Sequence, residues 1–80
     1  MQVIVKLFAM LRRFTPANVT PGEPFTLMLP EGATLADVLA QLGIPEDEAK
    51  VMFVNGRAHA LDYALQDADD TGIFPPVGGG

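Results

Sequence analysis

Eighty residues, 49% of them hydrophobic and 19% charged, make one small globular domain that is too short for a second core and too apolar for a disordered tail. The formal charge of −5 sets ten acids against five scattered bases, Lys6, Arg12, Arg13, Lys50 and Arg57, which excludes nucleic acid as a partner because that needs clustered Lys and Arg. With no cysteine there is no disulfide, thiolate metal site or thiol chemistry; with no leader pattern and no apolar run near the roughly 18 residues of a span, the expectation is a cytoplasmic protein without membrane partners.

Val3-Ile4-Val5-Lys6-Leu7-Phe8 is β-branched and apolar with little alternation, the pattern of a central strand buried on both faces. Ala9 to Phe14 reads as a short helical turn with two bases, ended by the breakers Thr15-Pro16 and Pro21-Gly22. Phe25 to Leu29, bounded by Pro24 and Pro30, is a second strand close enough in sequence to form a hairpin with the first. The main helix runs from Leu35 to Leu42. Thr34 and Asp37 stand at its capping positions, Leu35, Val38, Leu39 and Leu42 share one face, and Gly43 with Pro45 stops it. Glu46 to Lys50 allows one further turn, and Val51 to Val54 is a third strand. Asn55-Gly56 predicts a tight hairpin, because both residues accept positive φ, with Arg57 to Ala60 returning as a short edge strand. After a loop carrying Asp62, Asp67, Asp69 and Asp70, read as a solvated acidic face or as steering toward a basic partner, Thr71 to Phe74 makes the last strand. Two strands, a helix and three strands, with the first and last strands neighbours, give an α+β roll of the β-grasp kind: a mixed sheet of five strands with one helix on one face.

A catalytic constellation is missing. His59 has no second His, Cys or nucleophile turn to work with, so it reads as an exposed edge residue; Asp67 to Gly72 lacks the closing Glu of a calcium loop; and no glycine-rich loop opens a helix. What remains is Phe74-Pro75-Pro76-Val77-Gly78-Gly79-Gly80. Glycines contribute little to a packed core, whereas a side-chain-free arm can thread a narrow channel, and the two prolines favour an extended lead-in with a reach of about 15 Å. The organisation is therefore a domain over residues 1–76 and a flexible tail over 77–80. A terminal carboxylate becomes an acyl donor once it is adenylated, and without cysteine any sulfur cargo must ride on that carboxylate.

Phe8-Ala9-Met10-Leu11-Arg12 after the first strand, Leu29-Pro30-Glu31-Gly32-Ala33-Thr34-Leu35 before the helix, Val54-Asn55-Gly56, and Phe74-Pro75-Pro76-Val77 with the closing Gly79-Gly80 together resemble the MoaD/ThiS family of ubiquitin-like sulfur carriers, and within it the MoaD branch. The resemblance implies that Gly80 is adenylated by a MoeB-type activating enzyme, which uses ATP and magnesium, and then receives sulfur from a donor protein as a thiocarboxylate. The tail would next enter the active site of a MoaE-type large subunit of molybdopterin synthase, this chain being the non-catalytic carrier with no cofactor or metal of its own. By position, Gly79 is the slender neighbour of Gly80. Phe8, Arg12 and Phe74 match partner-docking positions, with Pro75, Pro76, Val77 and Gly78 leading in; the two phenylalanines read equally well as core. The chain departs from the family pattern at Ala68, where Gly is common, at Ala64, where Pro is common, and at Gly78, which replaces a varied residue. Three other roles stay open: sulfur delivery to thiamine thiazole or tRNA, conjugation to protein lysines through Gly80, and a binding module that never uses its tail.

Overall fold

The structure, a computed structural model, describes residues 1–49 and 51–76. Its strands are β1 (Gln2–Leu7), β2 (Phe25–Met28), β3 (Val51–Val54), β4 (Arg57–Ala58) and β5 (Asp70–Phe74), and its α-helix is α1 (Leu35–Leu42). Ala9–Phe14 and Glu46–Glu48 are 3-10 helices. The sheet runs β2-β1-β5-β3-β4, with β5 parallel to β1 and every other pair antiparallel. This is the β-grasp roll expected from the element order, and β5 rather than β1 is its middle strand.

The first strand differs from the sequence expectation. Val3, Val5 and Leu7 are buried, while Gln2, Ile4 and Lys6 are exposed. Among the described residues only one face is covered, by the apolar side of α1: Leu35, Val38 and Leu39 join Val3, Val5, Leu7, Leu27, Met52, Val54 and Ile73 in the core. The outward phase carries the polar Gln2 and Lys6 with Ile4 as its one apolar member, so β1 alternates as a strand covered on one face does.

Helix α1 begins and ends where local chemistry dictates. Asp37 Oδ2 accepts from the Thr34 N–H at 2.8 Å, returning a carboxylate to the positive end of the helix. The amides of Leu35 and Ala36 donate to the carbonyls of Tyr63 and Leu61, so the loop after β4 satisfies the first turn. At the other end Gly43 takes a left-handed φ of 77°, and the Ile44 N–H donates to the Leu39 carbonyl. The outer edge of β2 is protected: Gln41 Nε2 donates to the Met28 carbonyl at 3.2 Å, and Pro24 and Pro30 flank the strand without N–H donors.

The loop into β5 is held by carboxylates. Asp67 Oδ1 accepts from the Gln2 N–H at 2.8 Å, and Asp69, only 6% exposed, accepts from Asn55 Nδ2 at 2.9 Å and from the Gln66 N–H at 2.8 Å. Asp69 is therefore a buried structural anion and not part of a solvated acidic face. Asn55 and Gly56 have φ of 52° and 83°, the tight hairpin that their pairing predicts, and Ala68 has φ of 70°. An L-residue with a Cβ is strained there. Ala68→Gly is expected to stabilise the fold by about 0.5–1 kcal/mol, the relief of strain exceeding the added freedom of the unfolded chain, as read from urea unfolding midpoints.

Candidate functional site

Cross-strand register builds the outer face row by row. Lys6 on β1 lies beside Gly72 on β5, Gly72 lies beside Phe53 on β3, and Phe53 lies beside Ala58 on β4. Alongside this row Phe8 follows β1, its N–H bonded to the Ile73 carbonyl at 3.1 Å, and Phe74 pairs with Val51. The rings of Phe8 and Phe74 stack with centroids 4.1 Å apart and planes 7° from parallel, and Phe53 meets Phe74 edge-on at 5.7 Å. All three phenylalanines are half-buried, and none belongs to the core.

Gly72 makes this cluster possible. A Cβ built there would sit 3.3 Å from Phe8 Cε2 and 3.6 Å from Phe74 Cε1, so any larger residue would push the stacked rings outward. The missing side chain leaves an open groove of about 260 Å³ with Gly72 in its floor, Lys6 and Phe53 across from each other, and the aromatic pair at one end. The Lys6 ammonium is 5.2 Å from the centre of the Phe8 ring. Toward β2 the same face continues as exposed Ile4 and Met28. Clustered aromatic and aliphatic side chains on a sheet face without cover are what a protein interface is made from.

Of the residues singled out from the sequence, Phe8 and Phe74 are brought together on this face, and Pro75 and Pro76 continue directly from Phe74. Arg12 is exposed on the 3-10 helix, where its Nε donates to the Ala9 carbonyl at 3.1 Å and its Cδ lies near Gly22; it does not line the groove. Val77, Gly78, Gly79 and Gly80 lie outside the described residues. Lys6, Phe53 and Gly72 are additions that the sequence reading passed over. The signal for Lys6 was its phase, one residue from two buried positions in a strand treated as buried throughout. His59 is half-buried and stacks on Tyr63 with centroids 3.8 Å apart, so it is a packing residue and not an exposed strand position. Among the described residues no group of three or more His, Cys, Asp or Glu is placed to hold a metal ion, and no helix is long and apolar enough to cross a membrane.

Comparison with known proteins agrees with this geometry. The ThiS family model matches residues 5–80. No curated protein sequence matches the chain. Among solved structures, a candidate molybdopterin converting factor subunit 1 from Pyrococcus furiosus is 33% identical with a TM-score of 0.69, covering 95% of this chain and 98% of its own. Small archaeal modifier protein 1 from Methanosarcina acetivorans is 30% identical with a TM-score of 0.62, covering 99% of this chain and 96% of its own. A chain from the complex of subunits 1 and 2 of the molybdopterin-converting factor of Helicobacter pylori, at 24% identity and a TM-score of 0.60, covers 100% of both chains and shares the fold. With its sequence matched almost from end to end and its β-grasp sheet in place, this chain belongs to the ThiS family of ubiquitin-like sulfur carriers.

Proposed function

We propose that this chain is the sulfur-carrying small subunit of a molybdopterin synthase. The observation that carries the reading is the continuity of β5 with the tail. The strand that contributes Phe74 to the aromatic face runs straight into Pro75 and Pro76, so a partner seated on that face lies next to the root of the glycine arm. The likeness to the Pyrococcus furiosus protein supports the molybdopterin branch, and the Helicobacter pylori complex supports a large-subunit partner.

The chemistry resides on Gly80. Its carboxylate oxygen attacks the α-phosphorus of ATP on a MoeB-type enzyme, pyrophosphate leaves, and the acyl carbon is activated as a mixed anhydride with AMP. A persulfide on a donor protein attacks that carbon and expels AMP; a reducing thiol then cleaves the resulting acyl disulfide and leaves the thiocarboxylate. Gly79 and Gly78 let the arm enter a narrow channel in a MoaE-type subunit, where the thiocarboxylate sulfur bonds to a carbon of the pterin precursor as an oxygen leaving group departs, and water then cleaves the resulting thioester, leaving the sulfur on the acceptor and the carboxylate on Gly80. This chain supplies the acyl group and the docking face, and its partners supply the active sites.

A second reading is conjugation to lysines, favoured by the likeness to small archaeal modifier protein 1. It differs only in the nucleophile, an amine in place of sulfur. Intact mass spectrometry after incubation with ATP, magnesium, the activating enzyme and a sulfur donor separates the two. A mass gain equal to oxygen replaced by sulfur, absent from a chain lacking Gly80, is expected. An unchanged mass with enzymes proven active on another carrier would overturn the sulfur-carrier reading, and Gly80-dependent amide ladders in its place would establish conjugation.

A further inference from the structure

We propose that the groove over Gly72 is a socket for one acidic side chain of the docking partner, gripped by Lys6. The inference rests on the reading that the aromatic face docks a protein, and adds what that protein must carry there.

Lys6 is a charge in an unusual place. In a chain of net charge −5, it projects from the outer face into a groove lined by Phe8, Phe53, Phe74 and one acid, Asp70. Among the described residues it forms no ion pair; Asp70, the acid that lines the same groove, lies two residues before Gly72 on β5 opposite Ile4, and the two form no salt bridge. Before docking, water solvates the ammonium. Seating a partner on the aromatic rings removes that water, and an ammonium buried without a counter-charge is costly, so a purely apolar partner surface would be rejected.

The dimensions favour one inserted side chain. Lys6 and Phe53 stand on strands separated only by β5, so their backbones are about 10 Å apart across two strand spacings, with no side chain between them at Gly72. A glutamate or aspartate entering that gap would lay its methylenes against Phe53 and its carboxylate against the Lys6 ammonium. An incoming Arg or Lys would meet Asp70 at one end and be repelled by Lys6 at the wall. Lys6 stands directly beside Gly72 and near the aromatic pair, whereas Asp70, which also lines the groove, lies two residues back along β5 beside Ile4, so the cation is the charge next to the inserted group.

Calorimetric titration of the intact chain with its cognate large synthase subunit, at low and high salt, tests this through three variants. Lys6→Met keeps an unbranched apolar stem and is expected to weaken docking about thirty-fold or more at low salt, because it strands the partner's carboxylate, and to flatten the salt dependence. Asp70→Asn is expected to leave docking unchanged or tighten it, since it removes a like charge from the end of the socket. Phe74→Ala reports on the face itself. If Phe74→Ala weakens docking while Lys6→Met does not, the face docks and the acidic-socket proposal is overturned. If Asp70→Asn weakens docking, Lys6 is neutralised by Asp70 within the chain and the proposal is likewise overturned. If neither Phe74→Ala nor Lys6→Met has an effect, the docking reading falls and takes the socket with it. Lys6 is exposed, so unchanged melting of Lys6→Met separates lost docking from lost folding.

Discussion

Phe74→Ala is expected to weaken docking to the proposed large-subunit partner on the order of 100-fold while leaving the β-grasp fold intact. Phe74 is the member of the cluster that touches both others, stacked on Phe8 at 4.1 Å and edge-on to Phe53 at 5.7 Å. Truncation therefore removes one ring and frees the other two from their shared geometry. Aromatic anchors at the centre of an interface carry a disproportionate part of its energy, and this one directly precedes Pro75 and Pro76. The cost to the fold is smaller, about 1–2 kcal/mol, because the ring is half-buried and lies outside the core. Calorimetry gives the first quantity and a thermal melt the second. An affinity unchanged from the parent would remove the aromatic face from the interface. A variant that loses affinity only in proportion to a collapsed melting transition would make the ring a folding element.

Much of this architecture was legible because it is written in local chemistry. Thr34, Asp37, Gly43 and Pro45 bracket a helix whose bounds, Leu35–Leu42, match the apolar spacing, and Asn55-Gly56 fixes a turn that few other dipeptides accept. Burial was less legible. Val3, Val5 and Leu7 differ from Ile4 in phase but hardly in hydrophobicity, so composition could not say that one set faces α1 and the other faces outward. The same ambiguity left Phe8 and Phe74 suspended between core and interface, and only the pairing of β1 with β5 places their rings together on the outer side. Gly72 and Lys6 were invisible as a pair, since they are far apart in sequence and meet only through the parallel register. The burial of Asp69 is hidden in the sequence for a related reason. An acid among acids looks solvated until its hydrogen-bond donors, Asn55 and Gln66, arrive from the hairpin and the loop.

That buried acid leads to the second large effect. Asp69→Ala is expected to destabilise the fold by about 3 kcal/mol, a large part of the roughly 5–15 kcal/mol available to a native domain. Two donors lose their acceptor at once: Asn55 Nδ2 at 2.9 Å and the Gln66 N–H at 2.8 Å. Asp69 is only 6% exposed and both bonds are partly buried, so the abandoned donors regain only part of their solvation. The loss also spreads through Asn55. Its Oδ1 accepts from the Asp70 N–H at 2.9 Å and its own N–H donates to the Asp70 carbonyl at 2.8 Å, so one residue ties the hairpin turn to the first residue of β5. Asp67→Ala is the internal control. Among the described residues that carboxylate accepts a single bond, from the Gln2 N–H, at an exposed position, and its removal is expected to cost about 1 kcal/mol or less. Urea unfolding of the two variants should therefore show a clearly larger drop in midpoint for Asp69→Ala. Equal drops would mean that the bonds to Asn55 and Gln66 contribute little net stability. In that case β5, and with it the position of Gly72 and Phe74 on the outer face, would be held by the ladders to β1 and β3 alone.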